Sequence, residues 1–281
     1  MIRITLQDII NDKKLSNDEL VKDLTTLRMC KTDENKIKFC GNKILYHFQM
    51  ENLLRTRVIG KRKTLPEILE DEKDYTTLER YVIRLKRSGT MANRFYEAFR
   101  LNQAVVFFKP YTAKFIYKYY GATHVLDPTA GWGGRMLGAS SLGIHYTGID
   151  TNLSLKSAYD GIMGLLKDDK MTMIWDNTLN VDYENIDYDF VLTSTPYVKG
   201  NKLVEEYEHQ TTYNEFYDEF LIPLITKCLK YIKRNGKVCF NMNREMYEIV
   251  ALKFRECNET LDLPQQKRLG KNKKEKIYVW W

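Results

Sequence analysis

Apolar and polar positions follow two different rhythms along this chain. In residues 1–100, apolar side chains return every three or four positions between charged ones, the period of an amphipathic helix. Ser16-Asn17-Asp18-Glu19 reads as a helix start, and Leu20, Val21, Leu24 and Leu27 follow at helical spacing. Ile44, Leu45, Phe48, Leu53 and Leu54 predict a second helix between Gly41 and Arg55. Thr64-Leu65-Pro66-Glu67 starts a third, with proline inside its first turn. Tyr75 to Arg87 gives one more. No clean linker sets this mainly helical region apart, so it is expected to pack on the C-terminal part of the chain.

From about residue 120 the rhythm changes to short apolar runs alternating with helical stretches. Candidate strands are Val125-Leu126, Tyr146 to Ile149, Met171 to Trp175, Phe190 to Thr193, Lys237 to Met242 and Ile277 to Trp281. Helices are expected near 134–142, 152–167, 212–233 and 244–256. Such alternation predicts an α/β domain over residues 101–281, with a mostly parallel sheet and helices on both faces. In open sheets of this kind the ligand sits at the carboxyl ends of the strands, so the chemistry belongs just after them.

Composition narrows the class. The 281 residues are 43% hydrophobic, enough to bury a sizeable core, and no apolar run reaches the roughly 18 residues of a membrane span. Met1-Ile2-Arg3-Ile4 opens no secretory signal, and five scattered cysteines without a C-x-x-C pair suit reduced thiols, so a soluble, intracellular protein is expected. Four isolated histidines predict no metal site. A net charge of +7 is a mild bias toward polyanions. It is concentrated in Lys61-Arg62-Lys63, Arg84 to Arg87 and Lys267 to Lys276. The last of these, with Lys271, Lys273 and Lys274, reads as a basic hairpin between the final two strands, suited to phosphates.

The strand ends hold the candidate chemistry. After the first strand comes His124-Val125-Leu126-Asp127-Pro128-Thr129-Ala130-Gly131-Trp132-Gly133-Gly134-Arg135, a glycine-rich turn that feeds a helix, as in a nucleotide-cofactor cradle. It is neither G-x-G-x-x-G nor a P-loop. Asp150 ends the second strand, placed to accept from ribose hydroxyls. Asp176 and Asn177 follow the third, where a carboxylate accepts from an adenine amino group while Trp175 or a neighbour packs the ring. Singly, each acid reads as a helix cap. In register behind one glycine-rich turn, they point to a nucleoside cofactor. Ser194-Thr195-Pro196-Tyr197 follows the fourth strand.

These elements resemble the S-adenosylmethionine-dependent DNA amino-methyltransferases, the adenine-N6 and cytosine-N4 family. D-P-T-A-G-W-G-G-R is similar to their D-P-F-x-G-x-G cofactor loop, and most of all to viral and phage versions. Phe107-Phe108-Lys109-Pro110 resembles their F-x-K-P element, and Ser194-Thr195-Pro196-Tyr197 matches three of four places in their D/N/S-P-P-Y/F/W catalytic loop. The resemblance covers roughly residues 100–281. It implies a Rossmann-like class I methyltransferase fold with a mixed, mostly parallel seven-stranded sheet, and S-adenosyl-L-methionine as cofactor. Phe108, Lys109, Asp127, Thr129, Ala130, Gly131, Gly133, Asp150, Asp176 and Asn177 would hold the cofactor. The Ser194 side chain and the Thr195 carbonyl would accept from the target amine, with Pro196 stiffening the loop and Tyr197 stacking on a flipped base. Thr195 departs from the family's proline.

The implied partner is DNA, with no membrane and no metal, and with monomer and homodimer both open. Lys199 and Lys202 in the loop after Tyr197, and the basic hairpin, would touch the substrate, and the helical residues 1–100 are a possible recognition region. Adenine N6 is the first reading of the target. Cytosine N4, an RNA or protein amine, and a catalytically weak cofactor- or DNA-binding subunit are the alternatives.

Overall fold

The structure is a computed structural model that describes residues 3–33, 38–57, 63–85, 87–102, 106–196, 198–199, 202–203, 215–263 and 276–281. The helical half contains α1 (Leu6–Asp12), α2 (Asn17–Met29), α3 (Asn42–Arg55), α4 (Leu65–Glu70), α5 (Glu72–Leu85), α6 (Met91–Asn102) and α7 (Pro110–Tyr120). The predicted start of α2 is a reciprocal cap. The Ser16 side chain accepts from the Glu19 amide, and the Glu19 side chain accepts from the Ser16 amide. Leu20, Leu24 and Leu27 are buried, and Val21 faces out. Helices α1, α6 and α7 lie in stretches where the spacing alone predicted none.

Helix α3 has two apolar faces. Ile44, Leu45 and Leu53 share a core with α2, α7 and the sheet, while Met50 and Leu54 share a second core with α1, α4, α5 and α6. The helical region is therefore built onto the sheet. Phe48 of α3 also rests where Gly161 of α9 (Lys156–Leu166) has no side chain.

Lys114 of α7 makes the other tie. It is buried, and its Nζ donates to the carbonyls of Leu27, Arg28 and Cys30 at 2.7, 2.8 and 3.0 Å. These are carbonyls that the end of α2 leaves without intrahelical donors. A cation there also meets the negative end of the helix dipole. Burial lowers its pKa from the ordinary lysine value.

The α/β half carries β1 (His124–Asp127), α8 (Gly134–Ser140), β2 (His145–Asp150), a 3-10 turn (Leu153–Leu155), α9, β3 (Met171–Trp175) and β4 (Phe190–Ser194). A short antiparallel pair comes next, β5 (Val198–Lys199) with β6 (Lys202–Leu203). A π-helical turn (Phe216–Leu221) then leads into α10 (Ile222–Tyr231). Last come β7 (Lys237–Met242), α11 (Arg244–Lys253), β8 (Glu259–Asp262) and β9 (Lys276–Trp280). Seven strands pair in the order β3-β2-β1-β4-β7-β9-β8. The first five of these pair in parallel, and β9 runs antiparallel to both β7 and β8. This is the mixed, mostly parallel sheet expected.

Helices α7, α8 and α9 cover one face, and α10 and α11 the other. Strand β8 was not predicted, because Glu259-Thr260-Leu261-Asp262 carries only half-buried and exposed residues at the sheet edge. It pairs with β9 on either side of residues 264–275, so the basic hairpin of the sequence reading lies outside the described residues. Because β2 and β3 lie to one side of β1, and β4 and β7 to the other, the topological switch falls between β1 and β4.

Two of the basic clusters are partly answered locally. Lys63 pairs with Asp71 and Asp74, and Arg87 sits 3.8 Å from Glu97.

Lys114→Met should unbind α2 from α7. Denaturant unfolding is expected to show a loss of about 2 kcal/mol or more, since charge-assisted bonds to carbonyls that become unsatisfied carry this cost. Unchanged stability would contradict the capping role.

Candidate active site

The first loop is shaped by what packs behind it. Gly133 has φ +87°, a left-handed conformation, where it caps the start of α8. Gly134 faces the Phe108 carbonyl so closely that a Cβ built on it would lie 1.8 Å from that oxygen. The Phe107-Phe108-Lys109-Pro110 segment therefore fits against the loop only if residue 134 is glycine. Pro110 opens α7 as its first residue, and Lys109 is its N-cap.

Behind the loop lies a buried ion pair. Asp127 is fully buried, and its Oδ2 accepts from Arg135 Nε at 2.6 Å and from the Tyr146 hydroxyl at 2.7 Å. Its Oδ1 accepts from the Thr193 hydroxyl at 3.0 Å. Arg135 also donates to the Thr129 carbonyl and lies over the Phe108 ring, 5.3 Å from its centroid. Burial works against the Arg135 charge, and the Asp127 carboxylate more than offsets it, so the guanidinium pKa is raised. Tyr117 and Tyr146 beside the pair have hydroxyl pKa values pushed well up, by burial and then by the Asp127 charge.

The network continues to the second loop. The Thr193 and Thr129 hydroxyls are 2.5 Å apart, and Thr129 Oγ1 lies 3.2 Å from the Ser194 carbonyl. With the Thr193 proton given to Asp127, Thr129 must donate onward, to Thr193 or to Ser194. The end of β1 thus holds the end of β4.

One cavity of about 320 Å³ opens over these strand ends. Phe108, Thr129, Ala130, Gly131, Asp150, Asp176, Asn177, Ser194, Thr195 and Pro196 all line it. Asp150 is fixed by two backbone donors, Gly131 N at 2.7 Å and Asn152 N at 2.9 Å, one on each oxygen. Burial raises its pKa, against these two hydrogen bonds. Asn177 Oδ1 accepts from Leu179 N at 3.0 Å, which turns the chain over the cavity floor. The same stretch is pinned from α10, where Lys227 Nζ donates to the Thr178, Leu179 and Val181 carbonyls at 3.2, 2.7 and 2.5 Å.

Ser194 and Asn241 are in register on β4 and β7, and the Ser194 hydroxyl donates to Asn241 Oδ1 at 3.3 Å. Thr195 is buried, and its hydroxyl meets no hydrogen-bond partner among the described residues.

Three residues of the sequence reading stand behind the wall of the cavity. Asp127 spends its carboxylate on Arg135, Tyr146 and Thr193. Gly133 packs toward Ile162 and Tyr159, and the Lys109 ammonium lies 5.5 Å from the Phe39 ring centroid. Trp175 packs edge-on against Tyr159 at 5.5 Å and does not line the cavity. Aromatic lining comes instead from Phe108, Trp132, Phe216 and Phe220, the last two about one turn apart on the π-helical segment. Tyr197, Lys271, Lys273 and Lys274 lie outside the described residues, as do the side chains of Lys199 and Lys202.

Glu215, Glu219, Phe216 and Phe220 were not foreseen, because nothing in Glu215 to Leu221 separates a cavity wall from an ordinary amphipathic helix. Asn241 carried a readable signal, a lone polar residue inside the apolar run Val238 to Met242.

No protein-family model and no characterised protein sequence matches this chain. The likenesses are among solved structures. A candidate class I S-adenosylmethionine-dependent methyltransferase from Listeria monocytogenes is 14% identical, with 94% of this chain and 86% of that one aligned and a TM-score of 0.46. An rRNA methylase from Streptococcus thermophilus is 12% identical over 63% of this chain and 98% of its own, with a TM-score of 0.42. The strand order, with β9 reversed between β7 and β8, is that of the Rossmann-like fold the sequence resemblance implies.

Asp127→Asn removes the counter-charge of a buried arginine. A loss of about 3–5 kcal/mol is expected in thermal or denaturant unfolding, the usual cost of breaking a buried pair from one side. A variant as stable as the parent would show that the pair does not hold the two loops.

Proposed function

We propose that this protein transfers a methyl group from S-adenosyl-L-methionine to the exocyclic N6 amine of adenine in DNA. The observation that carries the reading is a single cavity with two chemically distinct sides. Asp150, Asp176 and Asn177 line it where β2 and β3 end, and Ser194, Thr195 and Pro196 line it where β4 ends, across β1. The first side suits a nucleoside, and the second suits an amine.

The residues present fit that cofactor. Each Asp150 oxygen is held by one backbone N–H and retains acceptor capacity for ribose hydroxyls. Asp176 and Asn177 offer acceptors to an adenine amino group, and Phe216 and Phe220 offer it aromatic faces. Asp150, Asp176, Glu215 and Glu219 put four carboxylates on the wall, while the lining cation Arg135 is bound to Asp127. Such a lining favours a ligand with positive charge, and a sulfonium with an α-ammonium group is one. Bound there, the cofactor supplies an electrophilic methyl group.

The acceptor side addresses a weak nucleophile. The lone pair of a base's amino nitrogen is delocalised into the ring, and two acceptors on its N–H bonds favour a pyramidal nitrogen with the lone pair freed. Ser194 Oγ and the Thr195 carbonyl are those acceptors in this reading. Their effect is positioning and electrostatics, fixed before the substrate arrives. Asp150, Asp176 and Asn177 would hold the cofactor, and Ser194 and Thr195 would hold the amine beside it until its surplus proton passes to solvent.

The Thr195 carbonyl serves as well as that of a proline, since the acceptor is a backbone atom. Tyr197 stacks on the extruded base. Lys199, Lys202, Lys271, Lys273 and Lys274 meet phosphates, where their contribution falls with salt. Residues 1–100 supply recognition of the duplex.

Incubation with methyl-labelled cofactor and duplex DNA, single-stranded DNA or RNA, followed by digestion to nucleosides, should yield N6-methyl-2′-deoxyadenosine from DNA. Ser194→Ala should lower turnover about a hundredfold, with cofactor affinity unchanged. Label in N4-methylcytosine would move the target base. Label in RNA or protein alone, or full turnover by Ser194→Ala, would overturn the reading.

A further inference from the structure

A hydroxyl is an ambiguous acceptor. Unlike a carboxylate, Ser194 Oγ carries one proton as well as two lone pairs. If that proton pointed into the cavity, it would bond to the amine's lone pair, the electrons that the methyl transfer needs. The site works only if the proton is directed elsewhere.

The neighbouring strands settle its direction. Asn241 of β7 lies in register with Ser194 on one side and with Ile277 of β9 on the other, and its side chain is buried. Its Nδ2 donates to the Lys276 carbonyl at 3.1 Å. A carbonyl only accepts, so the amide nitrogen must face Lys276 and the amide oxygen must face Ser194. That oxygen also only accepts, so the hydrogen bond from Ser194 Oγ to Asn241 Oδ1 uses the serine's proton. At 3.3 Å the bond is at the long end for a hydroxyl donor, and its sense is nevertheless fixed. Both lone pairs of Ser194 Oγ remain for the cavity that Ser194 lines.

We propose that Asn241 is a positioning residue that polarises Ser194 into an acceptor for the target amine. It touches neither cofactor nor substrate and takes up no proton, because an amide is neutral across the working pH range. It acts through the hydroxyl of Ser194. The inference rests on the role given to Ser194 in the proposed function.

The test is a double-mutant cycle on single-turnover methyl transfer, with cofactor affinity measured beside it. Asn241→Leu should lower the rate about tenfold or more with cofactor affinity unchanged. In a Ser194→Ala background the same substitution should cost nothing further. Asn241→Asp keeps an oxygen facing Ser194 and, when ionised, loses the donor to Lys276. It should therefore retain most of the rate that Asn241→Leu loses. A residue that merely tied β7 to β9 would behave differently, with both substitutions equally slow and the Leu effect undiminished without the serine hydroxyl. Either of those results, or full activity in Asn241→Leu, would overturn the proposal while leaving the role of Ser194 intact. Full activity in Ser194→Ala would instead remove the function reading and this inference together.

Discussion

The pairing of Asp127 with Arg135, out of reach of water, is the constraint on which the rest of this molecule depends. Two charges in an apolar interior are tolerated only where geometry and further hydrogen bonds compensate their desolvation. Here Tyr146, Thr193 and the Thr129 carbonyl complete the set. Strands β1, β2 and β4 and helix α8 each contribute a member. The end of β4, which presents Ser194, is thereby held at a fixed place relative to the glycine-rich loop. The pair is a fastening behind the cavity, and its value lies in where it puts its neighbours.

Two lysines do related work at longer range. Lys114 closes the end of α2 against α7, and Lys227 gathers three carbonyls of the Thr178–Val181 turn beneath α10. In both cases a long side chain brings its ammonium to a cluster of carbonyls that would otherwise lack donors. The turn after β3 is thus pinned from one side of the sheet, and the helical region from the other. Asn241 belongs with them. It too is a buried polar group whose partners lie on adjacent elements, and it sets the direction of a hydrogen bond that reaches the cavity.

Most of the α/β framework was legible because parallel strands buried on both faces are near-continuous apolar runs bounded by turns. The acids at the ends of β2 and β3 could be read from position alone, since open sheets place ligands there, and Asp150, Asp176 and Asn177 do meet in one cavity. Asp127 shows the limit of such reading. It also ends a strand, and from the sequence it was indistinguishable from Asp150, yet its partner eight residues on turns it inward. Edge strand β8 was missed because Glu259 and Asp262 flank only two less polar residues. The π-helical turn was missed because its hydrogen-bond pattern has no sequence period of its own. Gly134 was read as part of a cofactor-cradling turn, and its reason is the Phe108 carbonyl, a contact between segments more than twenty residues apart.

The most direct test of this account is a crystal structure of the protein with S-adenosylhomocysteine. The ribose hydroxyls should bond to Asp150, the adenine should lie at Asp176 and Asn177 beside Phe216 and Phe220, and the sulfur should face Ser194 and Thr195. A ligand bound outside this cavity, or seated with its sulfur turned away from the Ser194 loop, would contradict it.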